Sequence, residues 1–202
     1  VAMTLLWAMY CLCNVLGDVA IESGSGREIN VGLSMLMSSW IPLLGAFGVS
    51  FSAGLFLDQG VQNFADLALL LPVMNGMGGN MVCVYACRLS TAVQTQGGSA
   101  AGTRTLGVLM LALTPVFGLL YLLLIHVLRL GAPTFVVDTR VTADYMLAST
   151  AQVLLLEVFA GWFIDFCWRH GLDADNYATP FVNSLADSLG SALLWLMFDL
   201  TH

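Results

Sequence analysis

The chain has 202 residues, of which 58% are hydrophobic and only 9% charged, against about 25% charged in soluble globular domains. Its net charge is −7 and it contains no lysine, so no basic patch exists to neutralise phosphates, which disfavours a nucleic-acid partner. No polybasic stretch for anionic headgroups is present either. At roughly 20 residues per span, the length allows about six or seven membrane helices, and the acidity suits a cation as cargo.

Six apolar segments follow one another: 1–21, 31–57, 64–87, 105–130, 145–168 and 177–200. Polar or glycine-rich breaks separate them. A backbone in lipid must satisfy its own hydrogen bonds, so these segments are expected as helices. Alternation with a period of two, the mark of an outer-membrane barrel, is absent. The chain opens on valine and is apolar at once, which fits either a removed targeting segment or a start inside a longer protein. The expected organisation is an extra apolar, transmembrane helix at 1–21, a loop at 22–30 and a helical membrane domain over 31–202. Arg27, Arg88, Arg104 and Arg169 fall in the first, third and fifth loops, against Arg129 and Arg140 in the others. The positive-inside rule then puts those three loops in the cytoplasm and the C-terminus outside. A plasma membrane or an organellar (mitochondrial) inner membrane is the expected location.

The five cysteines, Cys11, Cys13, Cys83, Cys87 and Cys167, all lie in apolar stretches. They read as small buried hydrophobes and not as a disulfide framework. Cys83 and Cys87 share a helical face, but no second pair or flanking histidine completes a metal-thiolate site.

The third segment contains Leu71-Pro72-Val73-Met74-Asn75-Gly76-Met77-Gly78-Gly79-Asn80. Three glycines and a proline weaken a helix, and membranes tolerate this where neighbouring helices or a water-filled path satisfy the backbone. Small residues allow close helix approach, and Asn75 and Asn80 bring amide oxygens to membrane depth. A packing kink explains the same residues. Further along, His126 is a lone histidine, expected to be hydrogen-bonded within the bundle. Glu157, in the middle of the fifth segment, is an intramembrane carboxylate. It reads as a coupling-ion or proton site, a secondary metal ligand, or a partner for an interfacial polar group. Asp18, Asp58, Asp66 and Asp165 lie near span ends and are expected to be solvated.

The last segment carries the most informative residue. Asp187 stands in 177–200 with no other charge until Asp199. A carboxylate at that depth costs a few kcal/mol and faces a bundle interior or an aqueous path. Asn183 and Ser184 precede it by four and three residues and Gly190 follows by three, so oxygen ligands and a gap share one face. This pattern reads as a cation site on a pore wall. Asp173, Asp175 and Asn176 precede Pro180 and suit a helix N-terminus, where capping explains them as well as ion capture does.

PVMNGMGGNMVCVYACRLST and the later DADNYATPFVNSLADSLG resemble the two signatures of the MgtE-type magnesium transporters, particularly their eukaryotic relatives, solute carrier family 41. Ala53-Gly54-Leu55 closing on Asp58 is a further local match, and the resemblance covers roughly 31–200. It implies an all-α membrane protein with a five-helix unit, to which the segment 1–21 is additional. It also implies Mg2+ as the transported ion, with Na+ as a candidate coupling ion. The matching Asp187 would line the path opposite its counterpart in a second unit, with Asn183 adding oxygen and Gly78, Gly79 and Asn80 beside the pore. The expected metal-site residues are thus Asp187, Asn183, Asn80, Ser184 and Gly79, with Glu157 and Asp175 as secondary candidates. Mg2+ takes octahedral oxygen coordination and keeps most of its waters, so one or two carboxylates suffice. One Asp187 per chain argues for a second copy or another membrane subunit beside it. Paired carboxylates without an ion would repel each other, making such a site sensitive to acid.

The alternative is a non-transporting structural subunit of a larger membrane complex that retains the transporter fold. An enzyme is not expected. No His-Glu-x-x-His pair or Gly-x-Ser-x-Gly elbow is present, and Gly76-Met77-Gly78-Gly79 lacks the strand and lysine of a phosphate-binding loop.

Overall fold

The computed structural model describes residues 26–64, 67–96, 101–128 and 139–201. The apolar segment 1–21, together with Cys11, Cys13, Asp18 and Asp66, lies outside the described residues. Five helices account for nearly all of the rest: α1 (Gly26–Asn63), α2 (Leu67–Gln96), α3 (Ala101–Leu128), α4 (Thr139–Arg169) and α5 (Ala174–Thr201). No strand occurs among the described residues. Each helix contains a stretch long and apolar enough to cross a membrane, Pro42–Asn63 in the case of α1. The protein is an all-α membrane protein.

The helices overrun the apolar segments. α1 starts at Gly26, inside the stretch expected as a loop, and α2 continues past Arg88 to Gln96. Hydropathy marks where a helix is in lipid and not where its hydrogen bonding stops, so polar turns at span ends remain helical. The chain divides into two compact units at Ile41 and Pro42. In the first, the described residues 26–41 are helical. The second contains the rest of α1 and all of α2 to α5.

α2, α4 and α5 form its core. One cluster joins Val82, Ala86 and Leu89 of α2 to Val153, Leu156, Ala160 and Ile164 of α4 and to Ala174, Ala178, Val182 and Ala186 of α5. Its alanines let the three backbones approach closely, which substitutes for a hydrophobic drive that lipid surroundings do not supply. A second cluster is built on larger side chains, including Leu67, Leu70 and Met74 of α2, Leu122 and Ile125 of α3, Tyr145 of α4 and Leu194 and Phe198 of α5. α3 packs on α2 and α4 but not on α5. Val108, Leu109, Val116, Phe117, Leu120, Leu123 and Val127 of α3 are exposed, as a lipid-facing helix requires.

A short turn sets α4 and α5 antiparallel. Gly171 has φ of 66°, Gly171 N–H donates to Trp168 O at 3.2 Å and Leu172 N–H to Cys167 O at 2.9 Å. That is a Schellman stop, which favours glycine at the left-handed position. Asp173 Oδ1 then accepts the Asp175 N–H at 3.1 Å and caps α5. On the other side of α5, Pro42, Ala46, Ala53 and Gly60 form the buried stripe of α1. Ser188 Oγ donates to Val49 O at 2.8 Å and lies 3.0 Å from Ser52 Oγ, so α1 is hydrogen-bonded to α5.

Candidate functional site

α2 and α5 run antiparallel, Asn75 lying beside Asp187, Gly79 beside Asn183, and Cys83 and Cys87 beside Thr179. Asp187 is 13 residues beyond Ala174 and Asn80 is 13 beyond Leu67, so each sits about 20 Å along its helix. Both therefore lie at mid-membrane depth. A Cβ at Gly79 would stand 3.2 Å from Ala186 Cβ and 3.3 Å from Asn183 Oδ1. The missing side chain is what lets Asn183 lie against α2.

The outcome is a polar seam open on one side of the unit. Asn80 and Cys87 of α2 and Asn183 of α5 are exposed, with Cys83, Thr179 and Asp187 half-buried between them. The Cys83 thiol donates to Asn183 Oδ1 at 3.2 Å. Among the described residues the Asp187 carboxylate has neither a hydrogen-bond nor an ion-pair partner; the ion pair found there is the exposed Arg169–Asp165 contact at 2.7 Å. An uncompensated carboxylate at this depth needs a cation, water or a second protein surface. Cys87, expected as a buried hydrophobe, is instead exposed, whereas Cys167 is buried.

The structure sets three expected ligands apart from this seam. Ser184 is buried and donates its hydroxyl to Phe181 O of its own helix at 3.1 Å. It belongs to the α1-facing side of α5, together with Ser188. Asp175 is exposed in the first turn of α5, 12 residues and about 18 Å from Asp187 along the helix, where it serves the cap. Glu157 lies against α3, which does not touch α5. His126, expected inside the bundle, is exposed in the last turn of α3, one position beyond the buried Ile125 and so turned about 100° from the packed face.

Behind the seam is an amide layer in which the half-buried Asn75 joins Gln152, a residue that sequence reading missed. Gln152 of α4 is fully buried and its Nε2 donates to Ala186 O at 2.9 Å. Asn75 Nδ2 makes a longer contact of 3.4 Å to Asp187 O, and Ser191 Oγ donates to the same carbonyl at 2.7 Å. Two glycines make room: a Cβ at Gly78 would meet Gln152 Oε1 at 3.1 Å, and Asn75 Oδ1 fills the space that a Cβ at Gly190 would need. Three side-chain donors thus converge on the α5 carbonyls at 186 and 187. They fix the height and rotation of the turn that presents Asp187. Gln152 is one polar residue in an apolar helix, and its sequence signal was only that buried polar groups at membrane depth need partners.

The fold and seam define a polytopic helical membrane domain with a polar, acid-bearing helix interface. The MgtE family profile, described as a divalent cation transporter, matches residues 71–197. Solute carrier family 41 member 2 of Mus musculus is 32% identical over 187 residues, covering 82% of this chain and 32% of that protein. The Homo sapiens member 2 is 30% identical with the same coverage, and Mus musculus member 3 is 27% identical over 192 residues, covering 83% of this chain and 38% of that protein. The chain belongs to the MgtE family. It spans about a third of the length of these curated relatives. No solved structure matches it.

Proposed function

We propose that this chain forms one wall of a path that carries a divalent cation, Mg2+, across a membrane, with Asp187 as the carboxylate that meets the ion. The carrying observation is the mid-depth seam, where an unpaired carboxylate stands beside exposed amides on an otherwise lipid-facing unit. Asn183 and Asn80 add oxygens on the same open side, while Gly79 sets how closely their helices approach. Membership of a family described as a divalent cation transporter supports the same cargo.

A hard, strongly hydrated ion fits this chemistry. Mg2+ keeps several waters and binds through one or two carboxylates, so Asp187 with amide oxygens is a half-site that holds a hydrated ion weakly enough to release it. A second seam facing the first, from another copy or a partner subunit, supplies the second carboxylate.

The test is Mg2+ flux into liposomes containing the purified chain, with Asp187→Asn alongside and with or without an opposing Na+ gradient. Flux is expected in the wild type and background in the mutant, both retaining helical content and elution volume. Acceleration by the Na+ gradient identifies exchange. Flux that persists in Asp187→Asn removes the mechanism, and a well-folded wild type without flux points to a structural subunit.

A further inference from the structure

Glu157 occupies a recess of its own at the junction of α2, α3 and α4. Gly107 of α3 opens it: a Cβ there would lie 3.1 Å from Tyr85 Cε2 and 3.3 Å from Glu157 Oε2. The carboxylate is half-buried, and its Oε1 is buried with no hydrogen-bond partner. Glu157 is 12 residues from the Arg169 end of α4, about 18 Å along the helix. A bare, charged oxygen there is costly, while the neutral acid is tolerated.

The surroundings favour a proton over a metal ion. The space at Gly107 is shared by the Tyr85 ring and Glu157, without the amide oxygens that accompany Asp187 in the seam, and hard cations need several oxygens. Tyr85 of α2 is the titratable side chain that shares the space at Gly107 with Glu157, while Arg104 of α3 is exposed and acts on Tyr85. α4 itself offers only Val153, Leu154, Ala160 and Gly161 one turn away, and the α5 residues in the core cluster shared with α4 are the uncharged Ala174, Ala178, Val182 and Ala186.

A polar cleft approaches the recess. Arg104 is exposed, one turn before Gly107. A cleft between α2 and α3 is lined by Arg88, Thr91, Thr95 and Thr103, and reaches Val84 and Leu106, the residues immediately before Tyr85 and Gly107. The Tyr85 ring shares the space beside Gly107 with Glu157 Oε2, and its hydroxyl can both donate and accept.

We propose that Glu157 is a reversible proton-binding site in the α2–α3–α4 recess, separate from the cation seam and reached through Tyr85 from the cleft lined by Arg88 and Thr103. The proton adds to a carboxylate oxygen and leaves to water, with no other bond changed. Its role in transport rests on the cation-transport reading; its chemistry does not.

Infrared difference spectra of the reconstituted full chain, recorded between acidic and alkaline buffer, test the site. Beyond the bands of the other acidic side chains, one carboxylic-acid carbonyl component gained on acidification is expected in the wild type, retained in Asp187→Asn and missing in Glu157→Gln, which mimics the neutral acid and so keeps the fold. A difference spectrum unchanged by Glu157→Gln overturns the proposal, since the group would then be permanently charged or permanently neutral. Tyr85→Phe is expected to slow the appearance of the band after a pH jump, and an unchanged rate removes the route. Mg2+ flux on the same vesicles separates the two readings: a wild type that shows the band but no flux refutes transport and leaves the proton site standing.

Discussion

Asp187 is held against its own stability. The proposed function asks for a carboxylate at mid-depth, yet such a group costs about 2.5–3.5 kcal/mol on insertion scales, and no described residue offsets it with an ion pair or hydrogen bond. Asp187→Asn removes the charge and keeps the shape. It is therefore expected to leave the thermal midpoint in detergent unchanged or raised while flux falls to background, the pattern of a site whose function opposes stability. A mutant that loses flux and also melts early would make Asp187 a structural residue. Bound ion should reverse the sign: Mg2+ is expected to raise the wild-type midpoint and not the mutant's, because only a state that binds ligand is stabilised by it.

The α2–α5 helix pair is specified by what its glycines leave out. Asn75 Oδ1 occupies the position of a Cβ at Gly190, so Gly190→Ala must push the asparagine aside. Overpacking of this kind costs about 1–3 kcal/mol. Asn75→Ala in the same chain should recover part of that loss, and the coupling between the two changes, read from thermal unfolding as a double-mutant cycle, should be favourable. Additive effects would mean that the two residues do not meet. This pair also shows how far sequence reaches. The spans, the glycine-asparagine stretch and Asp187 were legible because each breaks an apolar helix in a way lipid penalises. Gln152 and Glu157 both interrupt apolar runs on α4, but periodicity along one helix does not say which neighbour each one faces. That choice is made by Gly78 and Gly107 on other helices, as a matter of tertiary space. The same limit explains Ser184, which helical spacing puts on one face with Asp187, although α1, with Gly45 against Phe181 and Val49 O accepting from Ser188, claims its side of α5. It also explains Cys87, whose apolar neighbours in sequence hid its exposure beside Thr179.

At the scale of the whole molecule, one face is left unfinished. A lipid-facing surface of leucine, valine and phenylalanine is what α3 presents, and it needs no partner. The α2–α5 seam is different, because Asn80, Asn183 and Asp187 are polar groups that hydrocarbon cannot solvate. A second seam apposed by two-fold symmetry would cover them, bring two Asp187 carboxylates to one axis and leave an aqueous gap between amide-lined walls. Residues on such an axis meet their own counterparts, which makes the arrangement open to a direct trial. Asn80→Cys, in a chain whose native cysteines are changed to serine or alanine, is expected to form a disulfide between copies under mild oxidation in membranes. A cysteine placed at Val116, exposed on the lipid face of α3, should stay reduced. Cross-linking should be slowed by Mg2+ if the ion occupies the gap between the two walls. Equal cross-linking at both positions would mean random collision, and none at either would require that a different subunit completes the seam.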